Sequence, residues 1–164
     1  MSNVNNSQRQ WILGKYKLAF PHAQQFIECT VKDSQKKGID YYALFNENKV
    51  LFIEEKVRWK SYPDILIEEY ANWEMKILGW GLDITKKSHY LAYIVIPRHE
   101  IFIFYYPALR QFFITNHDFL LAKYDREFGE TYDYSGRLSY QTSNIPVPLN
   151  AFPLDWQAKN IWRY

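Results

Sequence analysis

Two acids and a lysine follow an apolar strand without an intervening turn residue, in the segment KVLFIEEKVRWK at residues 49–60. Alternate side chains of a strand share one face, so Glu54, Lys56 and Arg58 point one way and Glu55 points the other way. A single Glu-Xaa-Lys pattern is also typical of a solvated strand end, where an ion pair adds little stability. The Glu-Xaa-Lys pattern therefore indicates a catalytic site only if a further acid lies close to it.

Asp40 supplies such an acid, because it begins the preceding predicted strand, shortly after the helix-ending Gly38. If the two strands pair as a hairpin, Asp40, Glu54 and Lys56 converge at one edge of the sheet. Two carboxylates with a third acid or a backbone carbonyl suit a hard divalent cation such as Mg²⁺. Such a cation activates a bound water and polarises a phosphate, while Lys56 would hold the water or neutralise developing charge. These residue types therefore permit metal-dependent phosphate hydrolysis.

The elements that position these residues follow from hydrophobic periodicity. Residues 1–9 are polar and predict a flexible tail. Apolar residues recur at helical spacing from about Ala23 to Lys37, and Gly38 is a typical helix end. The segments DYYALF and KVLFIEEKVR then predict two strands, joined into a hairpin by a turn at NEN.

The second half of the chain predicts both strands and helices. DILIEEY predicts a strand, with a helix as the alternative, and GWG at residues 79–81 predicts a loop. YLAYIVI and EIFIFYY are the clearest strands, whereas PALRQFFITN and HDFLLAKYDREF predict helices. From Gly129 onwards the sequence predicts irregular structure or short strands. The expected fold is a single α+β domain over residues 1–164, with a central mixed β-sheet of about four or five strands flanked by helices.

Composition narrows the class of protein. The 164 residues suffice for one domain with a sizeable core, and 19% aromatic residues favour β-structure and flat contact surfaces. The net charge of +2 neither requires nor excludes a nucleic-acid partner. The one cysteine, Cys29, excludes an internal disulfide and is expected to be a small buried helix residue. No signal-peptide or membrane-spanning pattern is present, so we expect a cytoplasmic protein with no membrane partner.

The segment GID at residues 38–40, followed by EEK at residues 54–56, resembles the motif of the PD-(D/E)XK nuclease superfamily. The downstream order is similar to that of small phage-type members, including Holliday junction resolvase-like proteins of DNA recombination. The similar segments are, in chain order, YPDILIEEY, GW, TKK, HYLAYIVI, IFIFYYPALRQF and IPVPL. The resemblance spans about Ala23 to Phe152 and implies a restriction endonuclease-like fold.

The same resemblance implies the site residues and the cofactor. Asp40, Glu54 and Lys56 would be catalytic, and Asp40 and Glu54 would bind Mg²⁺ or Mn²⁺. Glu28, on the first predicted helix, is a candidate third metal ligand, with a solvent-facing helix residue as the alternative. Glu68 is either a further ligand or a charged residue on a strand or helix face.

The chain departs from the superfamily pattern at three places. Pro63-Asp64 follows the lysine, so Asp64 is not the signature acid and belongs to a predicted loop-to-strand turn. His89 stands where related chains often carry an acid before the tyrosine. The segment around Asp40 also lacks the proline of the superfamily's name.

Three functions are compatible with these patterns. The first is a metal-dependent DNA endonuclease, in which Arg58, Lys60 and Lys87 contact duplex or branched DNA and a homodimer cuts both strands. The second is a non-catalytic nucleic-acid-binding module on the same fold. The third is an assembly protein that uses its aromatic residues as a contact surface. For Lys87, a solvated loop residue is the alternative to a phosphate contact.

Overall fold

The computed structural model describes residues 4–164 and has a mixed α+β architecture. In chain order its strands are β1 (Gln25–Glu28), β2 (Tyr41–Leu44), β3 (Val50–Arg58), β4 (Asp64–Asn72), β5 (Ile77–Leu78), β6 (Tyr90–Val95), β7 (Glu100–Tyr105), β8 (Glu127–Tyr132), β9 (Leu138–Pro148) and β10 (Ile161–Arg163). Its helices are α1 (Asn6–Ala19), α2 (Lys32–Lys36), α3 (Tyr106–Thr115), α4 (His117–Lys123) and α5 (Leu154–Asn160). No helix within residues 4–164 is long and apolar enough to cross a membrane.

The chain divides into two compact units. The first unit contains the described residues through Ser61, residues 87–107 and residues 155–164. The second unit contains residues 62–86 and 108–154. The predicted catalytic segment lies entirely in the first unit.

The first unit is built on a six-stranded mixed sheet with the order β1-β2-β3-β6-β7-β10. β3 and β6 run parallel, and the other neighbouring pairs run antiparallel. The prediction of a mixed sheet is confirmed, as are the strands at YLAYIVI and EIFIFYY, which form β6 and β7. The predicted count of four or five strands is wrong, because the short edge strands β1 and β10 carry no alternation long enough to detect.

The core of the first unit contains one face of α1 and one face of this sheet. Ile12 and Tyr16, four residues apart on α1, share a helix face and are buried with Ile53 of β3 and Ala92 of β6. Burial of such apolar surface fixes α1 against the sheet. Because side chains alternate along β3, the face that carries Ile53 also carries Glu55.

The predicted hairpin between β2 and β3 is confirmed, with Tyr41 opposite Ile53 in an antiparallel register. Its turn is the NEN segment, where Glu47 adopts a left-handed conformation with a φ of 61°. Upstream, Gly38 has a φ of 78°, a conformation that favours glycine, and it follows the end of α2 as predicted. The glycine and the hairpin register together place Asp40 at the start of β2.

The second unit carries a four-stranded antiparallel sheet with the order β5-β4-β9-β8. DILIEEY lies in β4, so the strand prediction is confirmed over the helix alternative. The GWG loop approaches this strand closely, since a Cβ on Gly79 would lie 2.5 Å from the Glu68 carbonyl oxygen. The two predicted helices are present as α3 and α4, although α4 ends at Lys123 and β8 begins at Glu127.

The helix predicted from about Ala23 to Lys37 is wrong. Gln25–Glu28 instead pairs with β2 as an edge strand, and only Lys32–Lys36 is helical. The spacing of apolar residues in this segment fits a helix. In the structure, however, Gln25–Glu28 forms backbone hydrogen bonds with β2, and a local sequence pattern does not reveal such pairing. Cys29 is buried, as predicted, but it follows β1 instead of lying on a helix.

The predicted tail over residues 1–9 is wrong from Asn6 onwards, because α1 begins at Asn6. The Asn5 side chain accepts a hydrogen bond from the Gln8 backbone N–H, and the Gln8 side chain accepts one from the Asn5 N–H. This capping box satisfies two donors at the helix start and explains why the polar segment is helical. Residues 1–3 of the predicted tail lie outside the described residues.

The segment after Gly129 is more regular than predicted. It contains the 11-residue strand β9 and the helix α5. β9 pairs with β4 on one side and with β8 on the other, so long-range pairing and not local alternation defines it. This dependence on partners distant in sequence explains the wrong prediction.

Candidate functional site

A polar cavity of about 550 Å³ opens in the first unit beside the predicted catalytic segment. It is bounded by the first turns of α1, the end of β1, part of α2 and the C-terminal half of β3. Its polar and aromatic lining residues are Asn6, Arg9, Glu28, Gln35, Asp40, Tyr41, Glu55, Lys56 and Trp59. The volume lies within the range of roughly 300–1,000 Å³ that ligand pockets occupy. We call this space the α1–β3 cavity.

Glu54 and Lys56 form an ion pair on β3, with 2.8 Å between Lys56 Nζ and Glu54 Oε1. Glu54 is only 2% exposed, whereas the Lys56 side chain is 33% exposed. The other carboxylate oxygen, Glu54 Oε2, is buried and has no hydrogen-bond partner among residues 4–164. Lys56 lines the α1–β3 cavity, and Glu54 is linked to the cavity through this ion pair without lining it.

Asp40 is held against β3 by two hydrogen bonds. Its backbone N–H donates to the Ile53 carbonyl over 2.9 Å, and its Oδ2 accepts from the Glu55 backbone N–H over 2.7 Å. Asp40 also lines the α1–β3 cavity together with Lys56. The fold thus brings Asp40 to the strand segment that carries Glu54 and Lys56, and the catalytic roles of the three residues remain predictions.

Glu55 faces α1 and is the centre of a network that the sequence did not reveal. Arg9 Nη1 donates to both Glu55 oxygens over 2.8 and 2.9 Å, and the Tyr16 hydroxyl donates over 2.6 Å. Burial raises the pKa of Glu55, with a contribution from the nearby Asp40 charge, although Arg9 and Tyr16 oppose the shift. Burial and the Glu55 charge likewise hold the pKa of Tyr16 well above its ordinary value.

Glu28 lies on the edge strand β1 and not on a helix, so its predicted position is wrong. It is exposed and stands opposite Tyr41 in the β1–β2 register. Its carboxylate accepts a hydrogen bond from the Tyr41 hydroxyl. Burial raises the pKa of Tyr41, Arg9 opposes the shift, and the charges of Glu55 and Glu28 add to it. Both Glu28 and Asp40 line the α1–β3 cavity. A metal-binding role for Glu28 remains a prediction.

The three basic residues predicted to contact nucleic acid lie outside the cavity lining. Arg58 ends β3 and is half-buried, opposite Val95 of β6, while Lys60 is exposed just beyond the strand. Lys87 is exposed, and its backbone N–H donates to the Lys37 carbonyl over 2.8 Å. Trp59, between the first two, does line the cavity and is 48% exposed.

The donor set of a metal site is incomplete in the described protein. Within residues 4–164, no three His, Cys, Asp or Glu side chains are clustered closely enough to form a ready-made metal site. The buried, unpartnered Glu54 Oε2 nevertheless fits a ligand to a hard cation. Mg²⁺ is commonly bound through one or two carboxylates with several waters. A metal-binding role for Asp40 and Glu54 remains a prediction.

His89 and Glu68, two further residues singled out in the sequence, form hydrogen bonds with nearby backbone groups. His89 Nδ1 accepts a hydrogen bond from the Phe52 backbone N–H over 3.0 Å, and burial lowers the pKa of His89. His89 therefore accepts this hydrogen bond in its neutral form and supports β3. In the second unit, Glu68 Oε1 accepts a hydrogen bond from the Trp80 backbone N–H over 3.3 Å at the GWG loop.

A buried carboxylate in the second unit was also not anticipated. Glu69 of β4 accepts hydrogen bonds from Arg126 over 2.8 and 2.9 Å and from the Ser143 hydroxyl over 2.8 Å. His117 Nε2 lies 2.9 Å from Glu69 Oε1. Burial alone would raise the pKa of Glu69, but the hydrogen bonds and charge of Arg126, with Ser143, hold it below its ordinary value. These four contacts satisfy the carboxylate, so the loss of a charged partner is expected to destabilise the second unit.

Comparison with known proteins gives no further guide, since no family model, curated protein or solved structure matches this chain. The resemblance to PD-(D/E)XK nucleases therefore depends on the motif residues and their order in the chain. Support for a function therefore comes from the α1–β3 cavity and the side chains around it.

Proposed function

We propose that this protein is a metal-dependent endonuclease that hydrolyses phosphodiester bonds in DNA, with Asp40, Glu54 and Lys56 as its catalytic residues. One observation carries the proposal. Glu54 is buried, one of its oxygens is paired with Lys56, and the other has no hydrogen-bond partner among the described residues. A buried ionised carboxylate is costly unless each oxygen is satisfied, so this arrangement favours a bound cation.

Asp40 and Glu54 would hold Mg²⁺ or Mn²⁺, and Glu28 is the candidate for a further ligand. When bound, the ion would supply Lewis-acid polarisation of a phosphate and a water of lowered pKa. The hydrogen bond from the Glu55 backbone N–H holds one oxygen of Asp40 and so orients the carboxylate.

Lys56 would act on the reacting phosphate or the attacking water. Its Nζ atom lies 2.8 Å from Glu54 Oε1. The side chain is one-third exposed and lines the α1–β3 cavity, so a ligand in the cavity can reach it. A cation in this position would stabilise the negative charge that develops on the phosphate oxygens in the transition state.

The surroundings of the cavity support a DNA substrate. Trp59 lines the cavity, and Arg58 and Lys60 flank it in sequence, which joins an aromatic surface to basic residues. Lys87 is an exposed candidate for a further phosphate contact. Cleavage of both strands of a duplex or of a Holliday junction would require two sites, for which a symmetric homodimer is the expected arrangement.

A cleavage assay tests the proposal. Supercoiled plasmid, linear duplex and four-way junction DNA are incubated with the protein and Mg²⁺ or Mn²⁺, with and without EDTA. We expect cleavage that EDTA abolishes and that is lost in Lys56→Ala and Glu54→Gln variants with unchanged circular dichroism. Lys49→Ala is the matched control, because Lys49 is an exposed lysine just before β3 and does not line the cavity. Full cleavage by Lys56→Ala would refute the proposal.

The second candidate is a non-catalytic nucleic-acid-binding or assembly protein on the same fold. It is favoured by the exposure of Trp59, which accounts for binding and requires no bond cleavage. The same assay separates the two functions. Retention of labelled DNA without metal-dependent product on every substrate would support the binding protein.

A further inference from the structure

Trp59 is the feature of the α1–β3 cavity that the hydrolytic chemistry leaves unexplained. Its side chain is 48% exposed although it lines a cavity, and it lies three positions after Lys56, the proposed catalytic lysine. Exposing a large indole to water forgoes the stabilisation that its burial would provide. A ligand that covers the indole would recover that stabilisation.

The chemistry beside Trp59 indicates which ligand would fit. The indole offers a flat π surface, and Lys56 and Arg9 bring positive charge to the same cavity. Arg9 and Lys56 are each paired with a carboxylate, Glu55 and Glu54 respectively, and Lys56 is the cation that lies three positions before Trp59 in the chain. A planar, apolar group joined to an anionic group is the description of a nucleotide, with its base on the aromatic surface and its phosphate near the lysine.

The nucleotide has to be unpaired. Bases inside a duplex are stacked on their neighbours and present only their edges, so an aromatic side chain cannot cover their faces. Unpaired bases in single strands, flaps and branch points have free faces that stack on aromatic side chains. A cavity of about 550 Å³ also has a size typical of small-ligand pockets, whereas a duplex would have to remain outside.

We propose that the α1–β3 cavity binds an unpaired nucleotide of the DNA substrate, with the base stacked on Trp59 and the phosphate directed to Lys56. The inference rests on the proposed nuclease function for its DNA substrate, and it narrows that substrate to DNA containing unpaired bases. Glu28 and Asp40 also line the cavity and oppose the phosphate, so binding is expected to strengthen when a divalent cation is added.

Binding without cleavage tests this inference separately from catalysis. Fluorescence anisotropy would measure the affinity of the full chain for three labelled oligonucleotides: a single strand, a fully paired duplex, and the same duplex with a short single-stranded gap. The measurements are made at one salt concentration, in EDTA and in Ca²⁺, and product analysis confirms intact DNA. We expect the single strand and gapped duplex to bind more tightly than the paired duplex, with a further gain in Ca²⁺.

Variants of Trp59 identify the stacking surface. Loss of one stacked base is expected to weaken binding of the gapped duplex by about 5-fold to about 150-fold in Trp59→Ala. Trp59→Leu retains apolar bulk but no π face and should lose as much, whereas Trp59→Phe should retain most of the affinity. If the alanine variant fails to fold, the leucine and phenylalanine variants make the same comparison. Trp162→Ala is the matched control, because Trp162 is 37% exposed in the same unit and does not line this cavity.

The outcomes are distinct from those of the cleavage assay. Equal binding of paired and gapped duplex by the wild type, or unchanged binding in both Trp59→Ala and Trp59→Leu, would overturn the inference. A preference for unpaired DNA that depends on Trp59 would support it even if no substrate is ever cleaved. In that case the nuclease proposal fails and the nucleotide site stands.

Discussion

Lys56 Nζ lies 2.8 Å from Glu54 Oε1, and this lysine is the side chain that links a carboxylate only 2% exposed to the α1–β3 cavity. The second oxygen, Glu54 Oε2, has no hydrogen-bond partner within residues 4–164. An arrangement of this kind is poor for stability, because the desolvation of a buried charge offsets much of its attraction to the partner. The proposed metal ion would offset this cost by binding the second oxygen.

The interaction free energy between Glu54 and Lys56 can be measured with a double-mutant cycle. Lys56→Met leaves Glu54 buried without its cation and is expected to lower the free energy of unfolding by about 3 kcal/mol. The double variant Glu54→Leu/Lys56→Met removes both charges and is expected to lie within about 1 kcal/mol of the wild type. Denaturant unfolding of the wild type, both single variants and the double variant gives the coupling energy. Additive effects would contradict a direct interaction between the two side chains.

Divalent cations should stabilise the protein through Glu54 and Asp40. A ligand that binds only the folded state raises the free energy of unfolding by about 2.7 kcal/mol at a concentration 100 times its Kd. We therefore expect Mg²⁺ and Mn²⁺ to raise the Tm of the wild type in a thermal-shift experiment, and the rise to disappear in Glu54→Gln and in Asp40→Asn.

Glu28→Gln provides the comparison for this metal experiment. Glu28 is exposed on an edge strand, so its loss is expected to leave most of the metal-induced rise in Tm. If the metal-induced rise in Tm is lost in Glu28→Gln but kept in Glu54→Gln, the metal does not bind at Glu54 of β3. A rise that persists in all three variants would exclude these carboxylates as ligands.

The hydrogen bonds from Arg9 and Tyr16 of α1 to Glu55 of β3 are expected to stabilise the folded protein. Removing the Arg9 guanidinium in Arg9→Met leaves a buried carboxylate without its charge partner and should cost about 3 kcal/mol of unfolding free energy. Tyr16→Phe removes one hydrogen bond to the same carboxylate and should cost about 1.5–3 kcal/mol. Urea unfolding of both variants checks these values, with Lys17→Met as a control for an exposed cation on the same helix. If Arg9→Met lowers the free energy of unfolding no more than Lys17→Met does, the contacts around Glu55 do not stabilise the protein.

The sequence predicted the parts of this site that depend on local alternation. The period-2 pattern of β3 predicted that Glu54 and Lys56 share a face, in agreement with their ion pair, but it did not predict that Glu55 lines the α1–β3 cavity together with Lys56. The NEN turn correctly indicated the hairpin that brings Asp40 to β3. Local periodicity could not predict that β1 joins the edge of β2, because apolar residues at helical spacing fit both outcomes.

The network around Glu55 could not be predicted for a different reason. Arg9 and Glu55 are 46 residues apart, and only the packing of α1 on the sheet brings them together. The start of α1 did carry a usable signal, since Asn5 and Gln8 have the residue types and spacing of a capping box. With α1 recognised, an acid on the inner face of β3 would have called for a cation on the facing helix.

The pKa of Glu69 predicts how the stability of the protein depends on pH. Burial would raise this pKa, but Arg126 and Ser143 hold it below the ordinary value of 4.5. A depressed pKa in the folded state means that the stabilisation is complete above that ordinary value and is lost as the pH falls through the folded pKa. The wild type is therefore expected to lose unfolding free energy as the pH drops below about 4.5, beyond the loss from its exposed acids.

Glu69→Gln removes this titration and isolates its contribution. At neutral pH the variant should be about 1–3 kcal/mol less stable than the wild type, because the Arg126 guanidinium loses its charged partner. The difference should shrink at acid pH, where the wild-type carboxylate is protonated as well. Urea unfolding at neutral and acid pH measures both differences, with Glu127→Gln as the control for an exposed glutamate of the same sheet. A difference between wild type and Glu69→Gln that stays constant across the acid range would show that Glu69 does not titrate as its contacts require.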